Sequence, residues 1–383
     1  MTDPVLIFFV LLAVFGLVYA IIILMYTIGW FNLKTISHSA SIPHTRLSII
    51  IPCRNEEANI VNLLNDINGQ LYPGNLVEVI VADDNSEDSS LALINEFIDH
   101  HPSMQIRLIT ISEDGVNTAY KKNAINHAIE IANGDLMITT DADCRLGREW
   151  LKSIADYYQS GKYKMIVGPV SFHNEKSVFE KMQTVEFLSL IGITAGAISI
   201  GKPIMCNGAN LAYEKNAFHE AGGFGNDSFS SGDDVFLLLK IKKRFGNKSV
   251  GFLKNKNAFV FTEAKSTLKE FLHQRTRWAS KNKGYDLKIL MVSFTVFMVN
   301  FLMVLGLIMT IFNIKILNTI LILFFIKLLL ELPILLGIMH FANRSRLLLS
   351  AMPLVFLYPV YIILTGTMGI ISTYQWKGRT VKR

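Results

Sequence analysis

The 383-residue chain is poor in charge and in cysteine. Asp, Glu, Lys and Arg make up only 18% of it, against 51% apolar residues. That balance excludes an ordinary soluble globular protein. The three cysteines, Cys53, Cys144 and Cys206, are scattered and form no C-x-x-C pair, so neither a disulfide framework nor a zinc site is indicated. Glycine-rich phosphate loops are missing too. Neither G-x-x-x-x-G-K-[ST] nor G-x-G-x-x-G occurs, which argues against a P-loop and a Rossmann dinucleotide site. There is no internal repeat and no low-complexity segment.

Four long apolar stretches account for the composition. Pro4 to Leu33, Ile289 to Ile314 and Leu347 to Trp376 carry no charge, and Ile316 to Phe341 is interrupted only by Lys327, Glu331 and His340. Each exceeds the roughly 20 residues that cross a bilayer as a helix. The first lacks a basic leader and is too long for a signal-peptide core, so it reads as an uncleaved anchor over 4–33. Lys34, Arg46 and Arg54 follow it, which places the polar middle, 41–286, in the cytosol by the positive-inside rule. An inner or plasma membrane of bacterial type is the expected location. A membrane region of two or three segments over 287–376 and a basic tail over 377–383 complete the division. Three full passages would leave the tail outside, against the same rule. Pro353 and Pro359 therefore suggest a bent or re-entrant last passage that returns it to the cytosol. The pair Lys327 and Glu331, four residues apart in mid-span, is expected to satisfy itself, as a structural clip or as a headgroup or glycan contact. The net charge of +6 gathers beside the membrane stretches, at Lys281, Lys283, Lys288, Arg344 and Arg346. Membrane lipids explain it better than nucleic acid, for which no motif is present.

The polar middle alternates strands with helices. "LSIIIP", "VEVIVA", "IRLITI" and "DLMITT" are short apolar runs, separated by helical patterns over about 56–69, 89–101 and "KKNAINHAIEIANG". This predicts an α/β domain with a mainly parallel sheet covered on both faces. Further on, "KMIVGPVSF" reads as one strand. "FLSLIGITAGAISIG", fifteen uncharged residues, is short for a span and suits an interfacial or core helix. Ligands of such sheets bind beyond the carboxyl ends of the strands, and the polar residues collect there. Arg54, Asn55 and Glu56 follow the first strand, Asp83 and Asp84 the second, Asp141 and Asp143 the fourth.

A D-x-D at a strand end suits Mg2+ or Mn2+, hard cations that sit between one or two carboxylates and phosphate oxygens. Alone, the triplet is equally an ordinary solvated turn. Asp83–Ser86 and Lys121 and Lys122 nearby sharpen it toward a metal-bound nucleoside diphosphate. Asp233 and Asp234 open a helix, where negative charge also simply favours the helix dipole. Gln274 and Arg277, three apart, share a helix face beside Trp278. Arginine there suits forked bonds to phosphate, while Arg and Trp beside a membrane also serve as interfacial anchors.

In this order, "SIIIPCRNEE", "VADDNSEDSS", "KKNAINHAI", "TTDADC", "CNGANLAY", "SGDDV" and "QRTRW" resemble the family 2 glycosyltransferases, above all the membrane-embedded branch with cellulose, hyaluronan and poly-N-acetylglucosamine synthases and ceramide glucosyltransferase. The resemblance covers about Ser48 to Trp278 and the flanking apolar helices. It implies a GT-A fold and a nucleotide-sugar donor, most often a UDP-sugar. It also implies that Asp84, with Asp83 beside it, contacts the uridine part, that Pro52 and Glu56 lie in the first nucleotide loop, and that Lys121 is that motif's lysine. Asp141 and Asp143 would hold the metal and donor diphosphate. Asp234, with Asp233, would occupy the place of the catalytic base, and Gln274, Arg277 and Trp278 would match Q-x-x-R-W near the diphosphate.

Two features depart from the polymer synthases: Gly232-Asp233-Asp234 stands where they often have Thr-Glu-Asp, and few membrane segments follow the catalytic part. The expected function is thus transfer of a sugar to a lipid or membrane-linked acceptor. A processive polysaccharide synthase is the alternative, and a catalytically dead nucleotide-binding scaffold the second. The complete acidic set speaks against the scaffold.

Overall fold

The computed structural model describes residues 4–35, 42–111, 120–161, 163–224, 233–280, 284–371, 374–376 and 379–381. Gly232, Lys281, Lys283 and parts of the basic tail, all singled out above, lie outside them, as does the side chain of Asp233. In chain order, helix α1 (Pro4–Asn32) precedes β1 (Leu47–Cys53), α2 (Ile60–Asn68), β2 (Val77–Asp83), α3 (Ser90–His100), β3 (Gln105–Thr110), α4 (Tyr120–Ile131) and β4 (Leu136–Thr139). Then come β5 (Arg145–Leu146), α5 (Trp150–Ser160), β6 (Met165–Val167), β7 (Val170–His173), α6 (Val178–Ser199), β8 (Leu211–Glu214), α7 (Lys215–Glu220) and α8 (Asp233–Phe245). Last are β9 (Val250–Phe252), β10 (Val260–Glu263), α9 (Leu268–Ala279), α10 (Leu287–Met309), α11 (Leu317–Phe341), α12 (Leu354–Ile371), and the short β11 (Tyr374–Trp376) and β12 (Arg379–Val381).

Contacts divide the chain into two compact units. One comprises 33–175, 201–264 and 375–383, the other 1–32, 176–200 and 265–374. The unit with the sheets holds seven strands in the order β3-β2-β1-β4-β8-β6-β9. Pairing is parallel from β3 through β4, and only β8 runs against its neighbours. The sheet is the mainly parallel one that the alternation predicts. β1 is fully sandwiched because Ile49, Ile50 and Ile51 have no exposed surface, and continuous β-branched residues suit a strand covered on both faces. The register sets Cys53 beside Asp83 and Ile50 beside Thr139. β4 therefore stops short of Pro52, which lies past the doubly paired part of the strand, where a missing N–H breaks no central ladder.

"KMIVGPVSF" is not one strand. It breaks at Gly168-Pro169 into β6 of the large sheet and β7 of a second sheet, ordered β5-β10-β7. Pro169 cannot donate to a ladder, and a Cβ on Gly168 would meet the Asn210 side chain at 2.3 Å. The first predicted helix also starts later than Glu56, at Ile60, because Asn55 takes a left-handed backbone (φ 50°) and residues 57–59 form a turn.

Beneath the sheet, Glu78 is buried and binds four partners: the Ser48 hydroxyl at 2.5 Å, the Asn133 and Gly134 amides at 2.5 and 3.2 Å, and Arg107 at 2.5 Å. Burial works to raise its pKa, but these hydrogen bonds and the Arg107 charge win and hold the carboxyl below its usual range.

The second unit consists of helices. α1, α6, α10 and the stretch Ile314–Phe341 are each long and apolar enough to cross a membrane. α6 runs for 22 residues, longer than its fifteen-residue uncharged part, because the segment with Glu180, Lys181 and Glu186 is helical as well. It packs backbone to backbone on α1: a Cβ on Gly196 would sit 2.1 Å from the Tyr26 carbonyl oxygen. Gly29 on α1 is its counterpart, since a Cβ there would sit 2.3 Å from the Gly196 carbonyl oxygen, and small residues on both helices permit such an approach. The last apolar stretch is bent, with 345–351 and 354–370 meeting at 73°. Lys327 and Glu331 pair at 2.6 Å, and the Tyr19 hydroxyl donates to Glu331.

Because the carboxyl pKa of Glu78 is lower folded than unfolded, its contribution is complete above the unfolded value and vanishes as pH falls through the folded one. Glu78→Gln should destabilise the protein by about 2 kcal/mol at pH 7. Thermal unfolding from pH 7 to 3 checks this, with the gap between variant and parent narrowing toward acid.

Candidate active site

The loops after β1 and β2 are latched to each other. Arg54 is buried and donates to the carbonyls of Asp84 (2.5 Å) and Asn85 (3.0 Å) and to Glu87 (3.1 Å). The Asn55 side chain accepts from the Glu87 amide at 2.8 Å, and the Glu56 amide donates to the Ser90 hydroxyl at 2.8 Å. Asn55 and Asn85 both take left-handed backbones (φ 50° and 52°), which asparagine tolerates better than most residues.

Asp83, expected beside Asp84 at the donor, makes its described bonds within the loop. Asp83 has no exposed surface, and its carboxylate binds the Ser86 hydroxyl at 2.5 Å and the Ser86 amide at 3.1 Å. Asp83 shapes the loop. Asp84 is buried beside it, while Pro52 and Glu56 are half-buried at the same sheet edge.

At the end of β4, Asp141 and Asp143 lie in a turn closed by the Cys144 amide on the Asp141 carbonyl (3.1 Å), and both are half-buried. Lys121, from the first turn of α4, places its ammonium 2.5 Å from Asp141. A cation thus already sits on the D-x-D. Among the described residues no group of three or more His, Cys, Asp or Glu gathers to hold a metal. Two accessible carboxylates in a turn fit Mg2+ or Mn2+, which would complete their shell with phosphate oxygens and water. Cys144 is buried in the same turn, and burial, then Asp143 and Asp141, push its thiol well above its usual pKa.

Asp234, the second residue of α8, is joined to this strand end. Its Oδ2 accepts from the Gly208 amide at 3.1 Å and its Oδ1 from the Val235 amide at 2.8 Å. The Gly208 carbonyl in turn accepts from the Thr139 hydroxyl at 2.8 Å. Gly208 belongs to a tight turn braced by Asn210, which is buried with its side chain fully used. Trp150 donates to its Oδ1 (3.0 Å), and its Nδ2 donates to the carbonyls of Pro169 (2.7 Å) and Ala258 (2.8 Å). Asp84, Lys121, Asp141, Asp143 and Asp234 therefore belong to one unit and to connected strand ends.

Gln274, Arg277 and Trp278 share α9 in the helical unit. Gln274 and Arg277 are half-buried. Trp278 carries the Arg275 guanidinium 4.2 Å over its ring, with Phe187 at 5.7 Å. The buried cation of this segment is Arg275, paired with Glu186 at 2.5 Å, and Tyr361 donates to Glu186 at 3.3 Å. In the helical unit Arg275 and Glu186, and in the sheet unit Thr139, Gly208 and Asn210, are bonding partners that sequence reasoning missed. The motifs "QRTRW" and "CNGANLAY" contain three of them, but nothing local separates those positions from the rest.

Comparisons with known proteins bear on family and fold. Residues 48–221 match the model described as Glycosyl transferase family 2, and residues 136–371, over half of the chain, match Glycosyl transferase family group 2. A beta-monoglucosyldiacylglycerol synthase of Synechocystis sp. is 24% identical over 63% of this chain and 48% of its own length. A poly-beta-1,6-N-acetyl-D-glucosamine synthase of Staphylococcus epidermidis is 25% identical over 51% and 45%. The chain thus spans about half the length of these relatives. A mannosyltransferase from Pyrobaculum calidifontis, solved with GDP-Man and Mn2+, superposes with a TM-score of 0.60 at 16% identity, covering 94% of this chain and 98% of that one. It shares the fold.

Asn210→Ala should strand the Ala258 carbonyl and the Trp150 indole N–H in the core, while the Pro169 carbonyl keeps the Val260 amide at 3.1 Å, lowering stability by roughly 2–4 kcal/mol. The midpoint of thermal or denaturant unfolding measures this, and a change under about 0.5 kcal/mol refutes the bracing role.

Proposed function

The chain belongs to glycosyl transferase family 2, and we propose that it transfers a sugar from a UDP-sugar to a hydroxyl of a lipid or membrane-linked acceptor, with inversion at the anomeric carbon. The observation that carries the reading is the connection of Asp234, through Gly208 and Thr139, to the strand end that bears Asp141 and Asp143. A proton acceptor and a diphosphate site then flank one reacting carbon.

In this reading the acceptor oxygen attacks the anomeric carbon and its proton passes to Asp234. The bond from that carbon to the diphosphate oxygen breaks, and the electron pair leaves with the nucleotide. Asp141 and Asp143 would hold a divalent cation, which would supply charge stabilisation to the departing diphosphate. Lys121 yields its place on Asp141 or stays as a second positive charge. Glu56, Asp84, Gln274, Arg277 and Trp278 keep the donor-side roles that the resemblance implies.

The lipid acceptor is supported by the diacylglycerol in one relative's name and by the long apolar helices. A polymer is the outcome that the other relative's name suggests. We place the helical unit in the membrane and the catalytic unit on its cytosolic side, where nucleotide sugars are made.

The test uses the full-length protein in lipid, UDP- and GDP-sugars, Mg2+ or Mn2+, and a membrane lipid extract as acceptor, with nucleotide release as the signal. EDTA should abolish turnover and added metal restore it. Asp234→Asn should lower kcat by about 10²- to 10⁴-fold. Parent-like activity of Asp234→Asn, or turnover of no donor, overturns the assignment. Product length separates a glycolipid from a polymer.

A further inference from the structure

We propose that Thr139 is a positioning residue for the proposed base: its hydroxyl, acting through Gly208, sets where the Asp234 carboxylate stands. The inference rests on the reading of Asp234 as the proton acceptor.

Thr139 ends β4 and is 4% exposed. Its backbone is already fixed by the ladder, where it pairs with Leu211. The hydroxyl adds something the ladder does not supply. It donates to the Gly208 carbonyl at 2.8 Å, three residues upstream of its ladder partner, with a longer branch of 3.4 Å to the Leu211 carbonyl. The same turn is fastened internally. The Asn207 side chain accepts from the Ala209 amide at 3.0 Å, and the Asn210 amide donates to the Asn207 carbonyl at 3.1 Å. Gly208 thus has its carbonyl held by Thr139 and its amide aimed at Asp234, 3.1 Å away. The Gly208 amide and carbonyl lie in successive peptide planes that meet at its Cα: the Asn207 carbonyl, held by the Asn210 amide, fixes the first, and Thr139 fixes the second, so both bonds are needed to hold Gly208 in place.

The arrangement joins the two halves of the proposed chemistry. Thr139 lies two residues before Asp141, so the strand that delivers the diphosphate-binding turn also anchors the base. A base misplaced by about 1 Å costs on the order of 10²-fold in rate. Such a residue affects the chemical step and leaves donor affinity alone.

Thr139→Val removes the hydroxyl at nearly constant shape and keeps a strong strand former. The test measures kcat and donor KM with the donor and lipid extract above, expressed per donor-binding site titrated with UDP and Mn2+, so that misfolded protein does not enter the comparison. Thr139→Val should lower kcat by about 10- to 100-fold with donor KM within about threefold, and Thr139→Ser should recover kcat to within about threefold of the parent. In the Asp234→Asn background, Thr139→Val should cost less than about twofold, because the group it positions is gone. Parent-like kcat in Thr139→Val, an effect on donor KM alone, or the same loss in both backgrounds overturns the inference. Asp234→Asn as active as the parent overturns the underlying reading instead.

Discussion

The catalytic unit depends on one buried amide. Asn210 has 1% of its surface exposed and spends every polar atom of its side chain on groups from three other segments: the Trp150 indole, the Pro169 carbonyl and the Ala258 carbonyl. Proline at 169 ends the β6 ladder, and its carbonyl accepts from the Val260 amide at 3.1 Å as well as from Asn210, which also ties down the Ala258 carbonyl. The same residue carries the backbone carbonyl that receives the Gly168 amide at 2.9 Å. A single polar side chain in an apolar interior is costly unless fully bonded. Here full bonding lets the chain leave one sheet, enter a second, and still present Gly208 to Asp234.

The paired loops after β1 and β2 solve a similar problem with charge. Arg54 is buried, and burying a guanidinium without partners would cost several kcal/mol. Its bonds to the Asp84 and Asn85 carbonyls and to Glu87 supply those partners. Asp83 is used up on Ser86 in the same loop. Of the acidic pair, one residue fixes the backbone. A loop that must hold its shape without glycine has a physical reason to spend one of two adjacent acids on its own backbone.

Much of this was legible in the sequence. The strand and helix alternation, the parallel sheet and the gathering of acids at strand ends all follow from period, from β-branched runs and from the rule that ligands sit beyond strand termini. What escaped was of another kind. The split at Gly168-Pro169 depends on Asn210, forty-one residues away, and no local pattern encodes that partner. "FLSLIGITAGAISIG" hid a helix of 22 residues because its charged first turns read as outside it, although Glu186 is buried against Arg275. Arg275 was overlooked beside Arg277 because spacing alone places the two almost equally, and only burial tells them apart. Long-range pairing of polar groups is what composition and periodicity cannot carry.

The Lys121–Asp141 contact bears on how two close acids are held together. Two carboxylates within a four-residue turn repel each other, and half-burial weakens the screening that water would give. An ammonium 2.5 Å from one of them offsets that repulsion. Lysine is well suited to the task, since its long, flexible stem lets the charge move aside at little cost in structure. An arginine would bind the carboxylate in a forked, geometrically fixed way and compete with an incoming ion more stubbornly. The position of Lys121 on the first turn of α4, and not within the strand, adds to that freedom. The turn of Asp141 follows directly on β4, so under the proposed metal role Lys121 could give way to another positive charge while the acids stay in place.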